Sequence, residues 1–96
     1  MPITRFIYIT IDPADVDKAV DIWKKECGPL MIQQKGCISE RLLRSRDAHE
    51  FISCSEWDSE ADIEMYAHSD AHAEIVRHTR RLKGAKAEVK LYEAVT

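Results

Sequence analysis

The marks of membrane and exported proteins are missing from this chain of 96 residues. No apolar run approaches the roughly 20 residues that a helix needs to cross a bilayer, so we expect no contact with a membrane. The start, MPITRFIYITIDPAD, lacks the basic segment, apolar core and cleavage site of a signal peptide. The three cysteines are odd in number and form no C-x-x-C pair, which is typical of reduced thiols. The sequence therefore predicts a cytoplasmic protein.

An excess of positive charge is also missing. The 14 Lys and Arg residues against 17 Asp and Glu residues give a net charge of -3, and the pI is near 5.8. The basic residues are scattered except for Arg77, Arg80, Arg81 and Lys83. That cluster lies near the end of a predicted helix, where positive charge favours the helix dipole. We therefore expect no nucleic-acid partner.

No motif that carries chemistry by itself occurs in the chain. It contains no Gly-rich phosphate loop, nucleophile elbow, H-E-x-x-H motif or zinc-ligand spacing. His68 and His72 would share one face of an unbroken helix, but the predicted helix start at Ser69 separates them. No nearby carboxylate or thiol completes a ligand set. The sequence therefore predicts no metal site.

The composition and the pattern of turns indicate one soluble globular domain over residues 1–96. An apolar share of 45% and a charged share of 32% are ordinary for such a domain. The length suffices for a single core without disulfides or a metal. No internal repeat, linker or low-complexity segment divides the chain.

The order of predicted elements is β-α-β-β-α-β. Residues 3–11, 37–45, 50–57 and 85–95 have the patterns of strands, with a hairpin loop over residues 46–49. This order predicts an α+β, ferredoxin-like fold, in which helices cover one face of an antiparallel sheet.

Start and stop signals bound the two helical regions. Asp12-Pro13 begins the first region, Pro29 interrupts it, either as a kink or as the start of a second short helix, and Lys35-Gly36 ends it. Ser59 and Asp62 form a capping box at the start of the second region. Ser69 or Asp70 caps a new helix within that region, and Lys83-Gly84 closes it.

The first strand is apolar on both faces. Ile7, Ile9 and Ile11 lie on one face, and Phe6 and Tyr8 lie on the other. An antiparallel sheet with one solvated face should instead alternate apolar and polar residues. The sequence therefore predicts that a second copy of the chain covers the face that the helices leave open.

Four aromatic or histidine side chains are candidates for a pocket. They are Trp23, Trp57, Tyr66 and His72. Trp57 ends a strand, while Tyr66 and His72 flank the predicted helix junction, so all could line an apolar small-molecule site with a few polar atoms. Trp57, Tyr66 and His72 could equally be core residues, because pocket lining and core are hard to separate by sequence. Trp23 lies in the apolar stripe of the first helix, which favours the core.

The chain resembles the antibiotic biosynthesis monooxygenase (ABM) family of small dimeric α+β barrels. The similarity rests on the Trp23 helix followed by PLMIQQKGCIS, on FISCSEWDS at 51–59, on YAHSDAH at 66–72 and on LYE at 91–93. The resemblance implies a homodimer with a pocket between sheet and helices. It also implies oxidation of a small phenolic or quinol-type substrate by molecular oxygen, with no cofactor.

The resemblance also implies roles for single residues. His72 would hold or deprotonate the substrate hydroxyl, Tyr66 would hydrogen-bond the oxygenated ring, and Trp57 would form an apolar wall. A haem-degrading branch of the family uses an Asn, a Trp and a His where this chain has Ile7, Tyr66 and Val76, so haem binding is not expected. Two alternatives are a non-catalytic dimeric barrel that binds a small aromatic or apolar ligand, and an isomerase-like or lyase-like member of the same fold.

Overall fold

The computed structural model describes residues 2–46, 50–80, 82 and 86–95. The elements follow the predicted order, and the fold is a ferredoxin-like α+β arrangement, as expected. The strands are β1 Ile3–Thr10, β2 Cys37–Arg44, β3 Glu50–Trp57 and β4 Lys86–Glu93. The helical segments are a 3-10 turn Pro13–Asp15, α1 Val16–Ile22, a π turn Trp23–Cys27, α2 Gly28–Ile32, α3 Glu60–Ala67 and α4 Asp70–Thr79. Most of the predicted hairpin loop (residues 47–49) and the predicted stop at Lys83-Gly84 lie outside the described residues.

The four strands form one antiparallel sheet in the order β2-β3-β1-β4. Because β1 is central, its residues have partners on both sides: Arg5 is opposite Ser55 and Leu91. Side chains alternate between the two faces of a strand, so Arg5 shares the helix-covered face with Ile3, Ile7 and Ile9. Within the described residues, no helix has the length and apolar character that crossing a membrane requires.

The interruption predicted at Pro29 is confirmed, and it takes the form of a π turn. Proline has no backbone N–H, so the carbonyl of Lys25 cannot receive the bond that a continuous α-helix would supply. The chain widens instead, and the N–H of Gly28 bonds the carbonyl of Trp23, five residues earlier. The second short helix, α2, follows at once.

Serine caps hold the junction between α3 and α4. Ser59 accepts a hydrogen bond from the N–H of Asp62 (3.2 Å), which confirms the predicted start of α3. Ser69 accepts a hydrogen bond from the N–H of His72 (3.1 Å) and donates one to the carbonyl of Tyr66 (2.6 Å). This one hydroxyl ties the end of α3 to the start of α4. Tyr66 and His72 are thereby fixed on either side of the junction.

The last helix ends earlier than the sequence predicts. Helix α4 stops at Thr79, whose hydroxyl donates to the carbonyl of Val76 (3.0 Å). The carbonyl of Val76 also keeps its helical bond from the N–H of Arg80 (3.0 Å). The next bond, from the N–H of Leu82 to the carbonyl of Thr79 (3.1 Å), spans three residues instead of four, so the chain leaves the α-helix there. Leu82 is nevertheless buried, as the apolar stripe predicted, because it packs against Ile11 and Phe51 from beyond the helix.

The core consists of two clusters on the helix-covered face. One contains Ile11, Ala19, Phe51 and Leu82. The other contains Met31, Trp57, Ile63 and Tyr66. The cavity described below has lining residues from both clusters, so it lies between them.

Gly36→Ala should lower the free energy of unfolding by about 1–3 kcal/mol. Gly36 has φ +84°, and a Cβ there would overlap the side chain of Asp62, which belongs to the start of α3. Urea unfolding followed by circular dichroism measures the change. Lys35→Ala, at the neighbouring exposed position, is the control and should have little effect. Equal stability of the two variants would contradict the strained turn.

Candidate functional site

A cavity of about 480 Å³ lies between the sheet and the helices. Its volume is within the range of about 300–1,000 Å³ that is usual for small-molecule sites. Most of its wall is apolar: Ile7, Ile9, Met31, Ile75, Val76, Leu82, Ala87 and Val89. The polar groups include Arg5, Ser53, Tyr66 and His72. A second cavity of about 420 Å³, beside Tyr8 and Leu43, has no histidine or cysteine among its described residues. We therefore place the candidate site in the first cavity.

Tyr66, His72 and Arg5 meet at one end of this cavity. The rings of Tyr66 and His72 are nearly perpendicular, with their centroids 5.2 Å apart. The guanidinium carbon of Arg5 lies 5.7 Å from the centroid of the Tyr66 ring. Tyr66 and Arg5 are buried and His72 is half-buried. The arrangement combines a phenol, an imidazole and a fixed cation in a largely apolar space.

Burial sets the protonation states of these groups. It raises the pKa of Tyr66 to about 12, and the nearby charge of Arg5 opposes that rise. The Tyr66 hydroxyl therefore stays protonated at neutral pH and can donate a hydrogen bond. Burial also lowers the pKa of His72 below its ordinary 6.5, and the charges of Arg5 and His68 add to the effect. His72 is therefore neutral at pH 7 and can accept a proton.

Trp57 lies behind Tyr66 and is not one of the residues that line the cavity. It is 0% exposed, and its indole N–H donates to the hydroxyl of Ser55 (2.9 Å). Its ring centroid is 5.2 Å from that of Tyr66. Of the three residues predicted for the site, Tyr66 and His72 thus meet in the cavity, and Trp57 supports Tyr66 from the core. Trp23, expected in the core, is half-buried and lines the cavity.

Arg5 was missed by the interpretation of the sequence. The isoleucines of the first strand define its apolar face, and a single arginine near a strand end is ordinarily a surface residue. The feature of the sequence that could have predicted this role is the position of Arg5, two residues before Ile7 and therefore on the same face of the strand. A charged residue on a face otherwise occupied by isoleucine indicates either a strand end or a buried charge with a function.

The two histidines that could have formed a metal site are separated. His72 lines the cavity, whereas His68 is exposed and lies 3.5 Å from Glu64. Within residues 2–46, 50–80, 82 and 86–95, no three His, Cys, Asp or Glu side chains are grouped as metal ligands would be. Ile7 and Val76, which the sequence resemblance matched to two positions of the haem-degrading branch, both line the cavity. Neither side chain can ligate iron.

The family model for antibiotic biosynthesis monooxygenase matches residues 2–78. This match spans most of the chain, including Arg5, Tyr66 and His72. The chain belongs to the antibiotic biosynthesis monooxygenase family. Among functionally curated proteins, none matches the sequence significantly.

Several solved structures share the fold. Rv0793 from Mycobacterium tuberculosis aligns with a TM-score of 0.83 and 14% identity, covering 100% of this chain and 97% of that one. SnoaB, a cofactor-independent oxygenase from Streptomyces nogalater, aligns with a TM-score of 0.78 and 17% identity, over 99% and 94%. A conserved protein from Methanosarcina mazei Go1 gives 0.81 and 18%, over 97% and 93%. At these identities the similarity establishes a common fold.

Proposed function

We propose that the chain is a monooxygenase that oxidises a small phenolic or quinol-type substrate with molecular oxygen and without a cofactor. The observation that carries the proposal is a neutral His72 beside a protonated Tyr66 in an apolar cavity. Membership of the monooxygenase family supports it. The fold shared with SnoaB, a cofactor-independent oxygenase, adds to that support.

In the proposed reaction the protein prepares a substrate anion. His72 takes the proton of the substrate hydroxyl, and Tyr66 donates a hydrogen bond to the oxygen that becomes negative. The apolar wall of Ile7, Ile75 and Val76 excludes water and leaves the anion poorly solvated. Such an anion is electron-rich and can transfer an electron to oxygen directly.

The proposed oxidation needs no external reductant. The substrate radical and superoxide combine to form a carbon–oxygen bond at a ring carbon that carries two hydrogens in the keto tautomer. The resulting peroxide then breaks its O–O bond. One oxygen atom stays on the ring as a carbonyl group, and the other leaves as water with the two hydrogens. His72 and Tyr66 would return the protons that these steps move.

An oxygen electrode tests the proposal. Purified protein is mixed with a panel of hydroquinones, naphthols and anthrones, and oxygen uptake is compared with that of protein-free and heat-denatured samples. Uptake above both controls with at least one compound supports the proposal. If no compound is consumed faster than by autoxidation, the monooxygenase proposal fails. Binding of the same compounds would then favour a non-catalytic binding protein, and their isomerisation without oxygen would favour the isomerase alternative.

We also propose that the chain forms a homodimer through the outer face of the sheet. That face carries Phe6, Tyr8, Leu43, Ile52 and Tyr92. The Phe6 ring packs against Tyr92 at 5.3 Å and Tyr8 at 6.3 Å, and neither core cluster includes any of the five residues. Tyr8, Leu43 and Tyr92 are 38%, 39% and 47% exposed. Large apolar side chains exposed together on one sheet face favour an interface.

Sedimentation at micromolar concentration should give twice the chain mass of 11.0 kDa. Tyr8→Glu should shift the protein towards the monomer, because it would bury a charge in the proposed interface. Met65→Glu, which makes the same change at an exposed apolar position on α3, is the control and should leave the dimer intact. A monomeric parent protein would contradict the proposed dimer.

The cysteines of the chain support a reducing compartment. Cys27, Cys37 and Cys54 are free thiols, and burial raises the pKa of Cys27 to about 11. Such an unreactive thiol fits a core residue in a reducing compartment. We propose a cytoplasmic protein that takes a small aromatic or apolar ligand and has no nucleic-acid partner.

A further inference from the structure

Arg5 is a buried cation whose counter-charge is missing from the described part of the chain. Its side chain lies on the central strand and lines the cavity, and the residue is only 8% exposed. No described carboxylate lies within ion-pairing distance of its guanidinium, which lies over the ring of Tyr66 instead. Buried charges in proteins are normally paired, because leaving water is costly for an ion. A ligand in the cavity could supply the missing partner.

The charge around the cavity has a single sign. Arg5, Arg80 and Lys86 are among its lining residues, and no described Asp or Glu is. This bias stands out in a chain whose net charge is -3. A concave site lined by charge of one sign concentrates ligands of the opposite sign. The cavity is therefore electrostatically suited to an anion.

The cavity has room for an aromatic group next to the cationic side chain of Arg5. Arg5, Tyr66 and His72 lie at one end, while Ile9, Ala87 and Lys86 lie further along the sheet. From Arg5 to Ile9 the strand rises about 13 Å, at about 3.3 Å per residue. That length accommodates two or three fused rings between the cationic end and the far end of the cavity.

We propose that Arg5 binds the carboxylate of an aromatic acid, whose rings lie against Ile7, Ile75 and Val76. The inference rests on the proposed function, since it names the class of substrate for the same cavity. An ordinary phenol has a pKa near 10 and is mostly neutral at pH 7, so it would not neutralise Arg5. A carboxylate is ionised at that pH and matches the planar guanidinium in two hydrogen bonds.

Binding at Arg5 also affects His72. The charge of Arg5 contributes to the lowered pKa of His72. A carboxylate paired with Arg5 cancels that contribution and makes His72 the stronger base. An aromatic acid that also carries a hydroxyl group therefore favours, by binding to Arg5, the transfer of its hydroxyl proton to His72.

The test compares two ligands of the same shape, 2-naphthoate and 2-naphthamide, by isothermal titration calorimetry at pH 7. The parent protein should bind the acid about 10- to 100-fold more tightly, the range expected for hydrogen bonds to a charged group. Arg5→Met should lose this preference and still bind the amide. Arg5→Lys should keep part of it. Arg77→Met removes an exposed arginine of α4 that does not line the cavity, and it should leave both affinities unchanged.

Thermal unfolding without ligand gives a second readout. Arg5→Met should unfold at a higher temperature than the parent, because it removes a buried charge that has no counter-ion. A purely structural arginine would give the opposite result. A less stable variant that also fails to bind the amide would overturn the inference. If Arg5→Met does not fold, the test rests on the affinities of the parent protein for the acid and the amide. A preference for the acid of less than about twofold then overturns the inference.

The outcome for Arg5 is separable from the outcome for the proposed function. A preference for the acid that depends on Arg5, without oxygen uptake, would defeat only the monooxygenase proposal. Oxygen uptake with neutral phenols, together with equal affinity for acid and amide, would defeat only the assignment of Arg5.

Discussion

His72→Ala should lower the turnover of an accepted phenolic substrate by about 100- to 10,000-fold, the usual contribution of a general base. The loss should be largest at pH values where the substrate hydroxyl is still protonated. Above the pKa of that hydroxyl, solvent has already removed the proton and the variant should approach the parent. Oxygen uptake measured across the pH range shows both regimes.

The pH profile of the parent protein follows from the environment of His72. Its pKa is lowered by burial and by the charges of Arg5 and His68. The base form therefore persists to a lower pH than in an exposed histidine, and activity should fall only as the pH drops through this lowered pKa. His68→Ala is the control for losing an imidazole: it should keep the parent's turnover at neutral pH, because His68 is exposed and does not line the cavity. It should also raise the pKa of His72 slightly, because it removes one of the charges that lower it. Equal activity of His72→Ala and the parent on every accepted substrate would show that the assigned role is wrong.

Trp57→Ala should lower the free energy of unfolding by about 3–5 kcal/mol, the range for deleting a large buried aromatic side chain. Trp57 is 0% exposed and packs on Met31, Ile63 and Tyr66. A domain of this size has a total stability of about 5–15 kcal/mol. The variant should therefore be much less stable, as urea unfolding would measure.

Two further variants separate packing from ligand binding at Trp57. Trp57→Phe should be milder, since it keeps an aromatic ring and loses the hydrogen bond to Ser55. It should leave ligand affinity nearly unchanged, because Trp57 does not line the cavity. Met65→Ala, which shortens an exposed side chain on α3, is the control for stability. A loss below about 1 kcal/mol in Trp57→Ala would contradict the position of Trp57 in the core.

Local signals account for most of what the sequence predicted about the fold. The side chains of Asp12 and Ser59 accept hydrogen bonds from backbone N–H groups two and three residues further along the chain. The geometry of these helix starts therefore does not depend on distant parts of the chain. The alternation of β1 depends only on the two faces of a strand. The early end of α4 at Thr79 could not be predicted in this way. The packing of Leu82 from beyond the helix depends on tertiary contacts with Ile11 and Phe51.

The candidate site was predictable where local structure positions it. Tyr66 and His72 meet because the Ser69 cap joins two helices at a defined bend, and the cap is visible in the sequence. Whether Trp57 faces the cavity or the core was open, because both environments are apolar. The role of Arg5 depends on which residues lie opposite it across the sheet and on α3. That information exists only after the chain has folded.

Oxidation under labelled oxygen gas tests the proposed function most directly. A phenolic substrate that the protein consumes is incubated with the parent protein and with His72→Ala, and the product is analysed by mass spectrometry. A monooxygenase should place one labelled atom in each product molecule, at a rate that depends on His72. A product without the label, or labelling at the protein-free rate, would contradict the proposed function.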